Sequence, residues 1–163
     1  MKHLLLILIV FGMCTASSAI ERMSVSPAIS LLFLDRSRPC AGYRIGMGMP
    51  ISATESVNVD YFDFTRAYYA HGFGMPETYK GVRVAKPITI KMGDIRFKII
   101  PGINLISENI FSGESTQRLG ISLEFDSEHR WGDNTSIISG LNFISDGYCS
   151  GISYFVGGKG YIN

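Results

Sequence analysis

The chain has 163 residues, 46% of them hydrophobic and 18% charged, with a formal net charge of +1. That length holds one domain or two small ones, and the apolar fraction excludes a disordered chain. The balanced charge leaves no basic footprint for nucleic acid.

The first residues, MKHLLLILIVFGMCTASSA, place Lys2 and His3 before an apolar run from Leu4 to Met13. Small residues follow, with Ser17 and Ala19 in the positions that precede a cut. This is the layout of a secretory signal peptide over residues 1–19, leaving 20–163 as the mature domain. Cys14 raises the alternative of a lipoprotein signal, but Met13 is a poor residue before a lipidated cysteine. Without residues 1–19 the chain keeps 14 Lys+Arg, all but Lys2, and 14 Asp+Glu, so its formal charge is zero.

Helical periodicity is nearly absent after residue 20; runs of about ten residues alternate with period two instead. The first run spans Met23 to Leu34 and is interrupted by Pro27. The second sets Tyr43, Ile45, Met47, Met49 and Ile51 against Arg44, Gly46, Gly48 and Ser52. The third begins with Val57, Val59 and Tyr61 opposite Asn58 and Asp60, then changes phase across Tyr61-Phe62-Asp63-Phe64, as a β-bulge would cause. The fourth runs through Val82, Val84, Ile88, Ile90 and Met92. After a tight turn at Gly93-Asp94 the fifth restarts with Ile95, Phe97 and Ile99. The sixth carries Leu119, Ile121, Leu123 and Phe125, the seventh spans Ser136 to Ser145, and the eighth carries Ile152, Tyr154 and Val156.

Eight such strands predict an all-β protein, an antiparallel up-and-down barrel. The opposite faces of these strands carry many small residues, among them Gly46, Gly48, Ala85, Gly102, Gly120, Ser122, Gly140, Gly151 and Ser153. A soluble surface prefers Lys, Glu and Thr there, whereas the narrow interior of a membrane barrel takes small side chains and compensating charges. The expected fold is therefore an eight-stranded transmembrane β-barrel. Its lumen is expected to hold Arg44, Asp60, Arg83, Lys91, Arg96, Lys98, Glu124 and Asp126 as a polar plug. The competing reading is a secreted soluble barrel with a hydrophobic ligand in its lumen.

Two cysteines remain after processing. Cys40 falls between the first two strands and Cys149 between the last two, so closure of the barrel puts both on one rim. A Cys40–Cys149 disulfide across the seam is expected in an exported protein. Pro87 and Pro101 fall at similar heights in the hairpin centred near Gly93. Because proline cannot donate to the ladder, they mark a candidate lateral gate for a lipid chain, or a bend that helps closure.

These strands and their length resemble the small outer-membrane barrels of Gram-negative bacteria, the group of OmpX, Ail and the OmpA membrane domain. The resemblance implies an outer-membrane monomer in contact with lipid and lipopolysaccharide, whose loops meet extracellular ligands. Such barrels commonly end on an aromatic residue; here KGYIN places Tyr161 two positions before Asn163. RLGISLEF followed by SIISGLNFISDG also resembles the last third of PagL-type lipid A deacylases. Their His-x-Ser-Asn signature is replaced here by Asn142-Phe143-Ile144-Ser145-Asp146, without the histidine that would activate the serine.

The remaining histidines are His71, in an aromatic stretch with Tyr68, Tyr69, Phe73 and Tyr79, and His129, among Asp126, Ser127, Glu128 and Asp133. An enzymatic alternative would draw on Ser145, Asn142 and His129. No metal, dinucleotide or phosphate-loop motif is present, GGKG at 157–160 lacking the required spacing, and no cofactor is expected. The sequence thus favours a non-enzymatic barrel acting in envelope integrity or surface interaction, with a lipid A acyl hydrolase as the alternative.

Overall fold

Alternation of apolar and small or charged residues becomes nine antiparallel strand segments in the computed structural model. It describes residues 22–34, 39–52, 55–66, 77–93, 95–109 and 115–162. The signal-like segment 1–19, His71 with Tyr68, Tyr69 and Phe73, and Asn163 lie outside the described residues. The segments are β1 (Met23–Leu34), β2 (Cys40–Pro50), β3 (Ser56–Arg66), β4 (Glu77–Ala85), β5 (Ile88–Met92), β6 (Ile95–Asn109), β7 (Ser115–Arg130), β8 (Thr135–Ser145) and β9 (Ser150–Ile162). Neighbours in sequence are neighbours in the sheet, and β9 pairs with β1 to close it.

There are eight positions in the wall because β4 and β5 are one strand broken at Lys86-Pro87. Both pair with β6 in a single register: Ala85 faces Gly102 and Ile88 faces Ile99. Lys86 keeps the ladder across the break by donating its N–H to the Pro101 carbonyl at 3.1 Å. The break lies in the half of the barrel near the Gly93 turn. That tight turn requires the left-handed conformation glycine adopts freely, at φ 63°.

The register also gives the stagger. Ser24 lies opposite Gly48, Gly48 opposite Asn58, Asn58 opposite Ala85 and Ala85 opposite Gly102. Gly102 then faces Ser122, Ser122 faces Ile144, Ile144 faces Gly151 and Gly151 faces Leu34. One circuit returns to β1 ten residues beyond its start, from Ser24 to Leu34, as closure by tilted strands demands.

The faces are reversed relative to a water-soluble barrel. Ile29, Tyr43, Ile45, Val84, Leu105, Leu119, Ile121 and Phe143 are all exposed on the outside, Ile29 to 74%. Arg44, Asp60, Arg83, Lys98, Glu124 and Glu128 are buried inside. Water would penalise that exterior, whereas hydrocarbon accepts it and requires a closed sheet without edges. The fold is a transmembrane β-barrel, which excludes the soluble barrel with an apolar lumen. Tyr43 and Tyr61 pack at 6.1 Å on the outer wall, and the Tyr61 hydroxyl donates to Asp63 at 3.1 Å, the amphipathic arrangement of an interfacial aromatic belt.

Small inward residues have a packing role that spacing alone did not disclose. Gly42 lies opposite Phe64, Gly81 opposite Phe62 and Gly140 opposite Phe155. A Cβ on these glycines would meet the facing ring at 2.7, 2.8 and 2.8 Å respectively. Each glycine therefore makes room for a phenylalanine from the next strand, an aromatic cover over a bare backbone.

Two expectations require correction. The register of β2 with β3 runs without interruption from Pro50 opposite Ser56 to Ala41 opposite Thr65, so β3 has no bulge. Phe62 and Phe64 continue the inward face of Asp60, and what changes is the polarity of that face. Second, Cys40 and Cys149 are both buried in one apolar cluster but are thiols, with no bond between them. Cys40 lies opposite Leu32 of β1, while Cys149 precedes β9 on the other side of β1. Two strand spacings, about 10 Å, exceed the reach of a disulfide, about 7 Å between Cα atoms. The Cys149 Sγ instead points to Asp146 Oδ2 at 3.7 Å.

Candidate functional site: the barrel interior and its loop-end rim

Every second residue of each strand enters the lumen, so the order of side chains along the strands stacks the interior in layers. The middle layer begins with a cross-strand pair, Asp60 of β3 opposite Arg83 of β4. Arg83 Nε donates to Asp60 Oδ2 at 2.7 Å, and its Nη1 reaches across the lumen to Glu124 of β7. Glu124 also accepts from Arg44 Nη1 of β2 at 2.5 Å, and the Arg44 guanidinium lies 3.9 Å over the Phe155 ring. Two guanidinium groups and two carboxylates thus neutralise one another. Arg83 and Glu124 are each only 1% exposed, so none of these charges would be tolerated there alone.

Toward the termini a second layer converges on Glu128. It receives Lys98 Nζ at 2.6 Å, Lys159 Nζ at 3.3 Å, the Ser136 hydroxyl at 3.2 Å and the Tyr161 hydroxyl. Arg96 stands 3.7 Å from Glu128 Oε1, and Asp126 is buried between the two layers. Toward the loop end the lumen turns apolar: Leu32, Phe62, Phe64, Tyr79, Ile106 and Ile144 pack with the two cysteines. Phe62 stacks on Tyr79 at 6.1 Å. Above this layer, Arg118 bridges Glu108 at 3.3 Å and Asp146 at 3.6 Å, and its guanidinium lies 4.1 Å from the Tyr148 ring.

Of the eight expected lumen residues, the structure buries Arg44, Asp60, Arg83, Lys98, Glu124 and Asp126 and half-buries Arg96. Lys91 is exposed, because β5 pairs with β6 alone and runs past the start of β3, beyond the enclosed lumen. Sequence reasoning missed Glu128, Lys159 and Tyr161. Glu128 is in phase with Glu124 and Asp126, a signal available had the sixth run been extended past Phe125; Lys159 and Tyr161 continue the inward phase of Ser153 and Phe155.

The residues of the enzymatic alternative are not brought together. Ser145 is at the loop-end rim with its hydroxyl 3.0 Å from that of Ser150. Asn142 is buried in the lumen. His129 lies opposite Ile137, eight residues along β8 from Ser145 and about 26 Å away at strand rise. Among the described residues no histidine reaches Ser145, and a serine without a base is a weak nucleophile. Among the described residues no cluster of His, Cys, Asp and Glu could hold a metal ion.

No protein-family model matches the sequence, and no curated protein does either. The fold is similar to several solved structures. Neisserial surface protein A, NspA, superposes with a TM-score of 0.67 at 12% identity, covering 86% of this chain and 96% of that one. Ail, the attachment invasion locus protein of Yersinia pestis, gives 0.56 at 13% identity, covering 86% and 95%. The N-terminal β-barrel domain of Pseudomonas aeruginosa OprF gives 0.51 at 12% identity, covering 83% and 96%. At such identities the likeness is one of fold, and it is to eight-stranded barrels of the expected class.

Proposed function

We propose that this protein is an outer-membrane barrel with a closed lumen that acts in envelope integrity or surface interaction through the connections at its loop end. The observation that carries this reading is the filled interior. Two ion-paired layers and an apolar layer occupy successive heights of the lumen, an arrangement that fixes the wall and opposes a water-filled path. The outer-membrane location is supported by the reversed faces together with the fold it shares with NspA, Ail and OprF. The signal-like start supports export. Separation of Ser145, Asn142 and His129 weighs against the acyl-hydrolase alternative.

The test is a deletion strain compared with its complemented parent for growth in bile salts and detergent, alongside the purified protein in planar bilayers. The proposal expects sensitivity in the deletion strain and no steady conductance from the protein. A stable open channel, or release of fatty acid from lipid A that is lost on Ser145→Ala, would overturn it.

A further inference from the structure

Past the break at Lys86-Pro87 the wall has a free edge. The pairing of β3 with β4 ends at Asn58 opposite Ala85, while β5 continues to Met92 against β6 alone. Lys86 donates its N–H to Pro101, which stands opposite it in the shared register. Hydrogen bonds of an antiparallel pair alternate along the strand, so the backbone groups of Ile88, Ile90 and Met92 also turn toward β6. Those of Pro87, Thr89 and Lys91 turn the other way. Pro87 has no N–H to offer there, a usual protection of an edge. Thr89 and Lys91 present both N–H and C=O to a side where no described strand pairs with them. Such groups are costly in hydrocarbon, and the exposed tip at Lys91 and Met92 belongs to the short-turn end, which faces the periplasm in an outer-membrane barrel.

The side chains select what can pair with this edge. Thr89 lies opposite Lys98 and Lys91 opposite Arg96, so one face of the β5–β6 hairpin is cationic. Ile90, Met92, Ile95 and Phe97 are exposed on the other face. Residues 86–99 carry four cations against one acid, Asp94, which lies outside the described residues. Arg96 and Lys98 reach Glu128, whereas exposed Lys91 has no ion pair with a described residue. A second copy joined edge to edge would set Lys91 beside its own counterpart, which like charges oppose. A strand with acidic side chains opposite Thr89 and Lys91, and apolar ones between them, matches both faces.

We propose that the β5 edge takes up, as an added antiparallel strand, an extended peptide segment of the periplasm in which acidic and apolar side chains alternate. The periplasmic setting rests on the outer-membrane reading; the binding does not, because it is measured on the purified barrel. The full mature chain in detergent micelles would be titrated into fluorescent peptides that alternate glutamate with valine or lysine with valine, and followed by anisotropy. The glutamate peptide should bind about tenfold more tightly than the lysine peptide. Its glutamate amides would face β5, so N-methylation of those amides should abolish binding, while N-methylation of the valine amides should leave it within about twofold. Thr89→Pro removes an edge N–H without touching the ladder to β6 and should weaken binding about tenfold. Lys91→Glu should reverse the preference between the two peptides. Each variant is first checked for the mobility change on boiling that marks a folded barrel, and the methylated peptides test the edge on the parent chain alone. Equal effects of the two methylations, unchanged binding by folded Thr89→Pro, or a dimer of the parent chain in light scattering that Thr89→Pro dissolves would overturn the proposal.

Discussion

Glu124 accepts from both Arg44 and Arg83 across the lumen, and Glu124→Gln tests whether that junction holds the barrel. The substitution keeps the shape but removes the carboxylate that both guanidinium groups share, leaving Arg83 with Asp60 and taking the ion pair from Arg44. Breaking a buried pair by removing one partner costs about 3–5 kcal/mol, because the remaining charge is uncompensated. Glu124 is 1% exposed and Arg83 equally so, which puts this site at the full value rather than at the small worth of a surface pair. The folding equilibrium should therefore shift by roughly two to four powers of ten. Arg44→Leu leaves Glu124 still paired with Arg83 and removes one charged hydrogen bond, so its expected cost is lower, about 1.5–3 kcal/mol. Urea titration of the barrel in phospholipid vesicles, followed by fluorescence of Trp131, the one tryptophan, measures both. A loss below about 1 kcal/mol for Glu124→Gln, the range of exposed pairs, would refute the reasoning.

The same titration tests the packing of rings on glycines. Gly140→Ala places a methyl group against the Phe125 carbonyl oxygen and 2.8 Å from the Phe155 ring and should cost about 1–3 kcal/mol, whereas Gly158→Ala, where nothing lies within 4 Å, should stay within about 0.5 kcal/mol; equal effects would contradict the assignment of faces. Phe64→Ala removes a ring from the apolar layer and should cost about 3–5 kcal/mol, with brief conductance events in planar bilayers; a neutral variant would mean the layer is not packed. Ser145→Ala should leave fatty-acid release from lipid A at the background rate of the parent protein, and any serine-dependent release would restore the hydrolase reading.

The barrel was legible because period-two alternation is local: Val82 and Val84 against Arg83, or Leu123 and Phe125 against Glu124, declare their faces without knowledge of any partner strand. What was not legible depended on neighbours. Asp60, Phe62 and Phe64 share one face, but a change of polarity along that face looks the same in sequence as a change of face, so the apolar layer reads as a bulge. Gly140 is placed on the inward face by its alternation, yet its reason, Phe155 directly opposite, exists only once register is fixed, and the same pairing of Gly42 with Phe64 and Gly81 with Phe62 is not visible in the sequence at all. Cys40 and Cys149 do share a rim, but the width of β1 between them is a distance no spacing rule conveys. The ends of the lumen were equally hidden. Lys91 has the inward phase and falls outside the enclosed region, while Glu128 and Lys159 have it and fall within.

The central claim is a closed barrel with its apolar wall in the outer membrane. The most direct test is fractionation of cells expressing the protein, followed by electrophoresis of boiled and unboiled samples in mild detergent. The account predicts that the protein sediments with the outer membrane and changes mobility on boiling. Recovery in the soluble fraction, with the same mobility before and after heating, would contradict it.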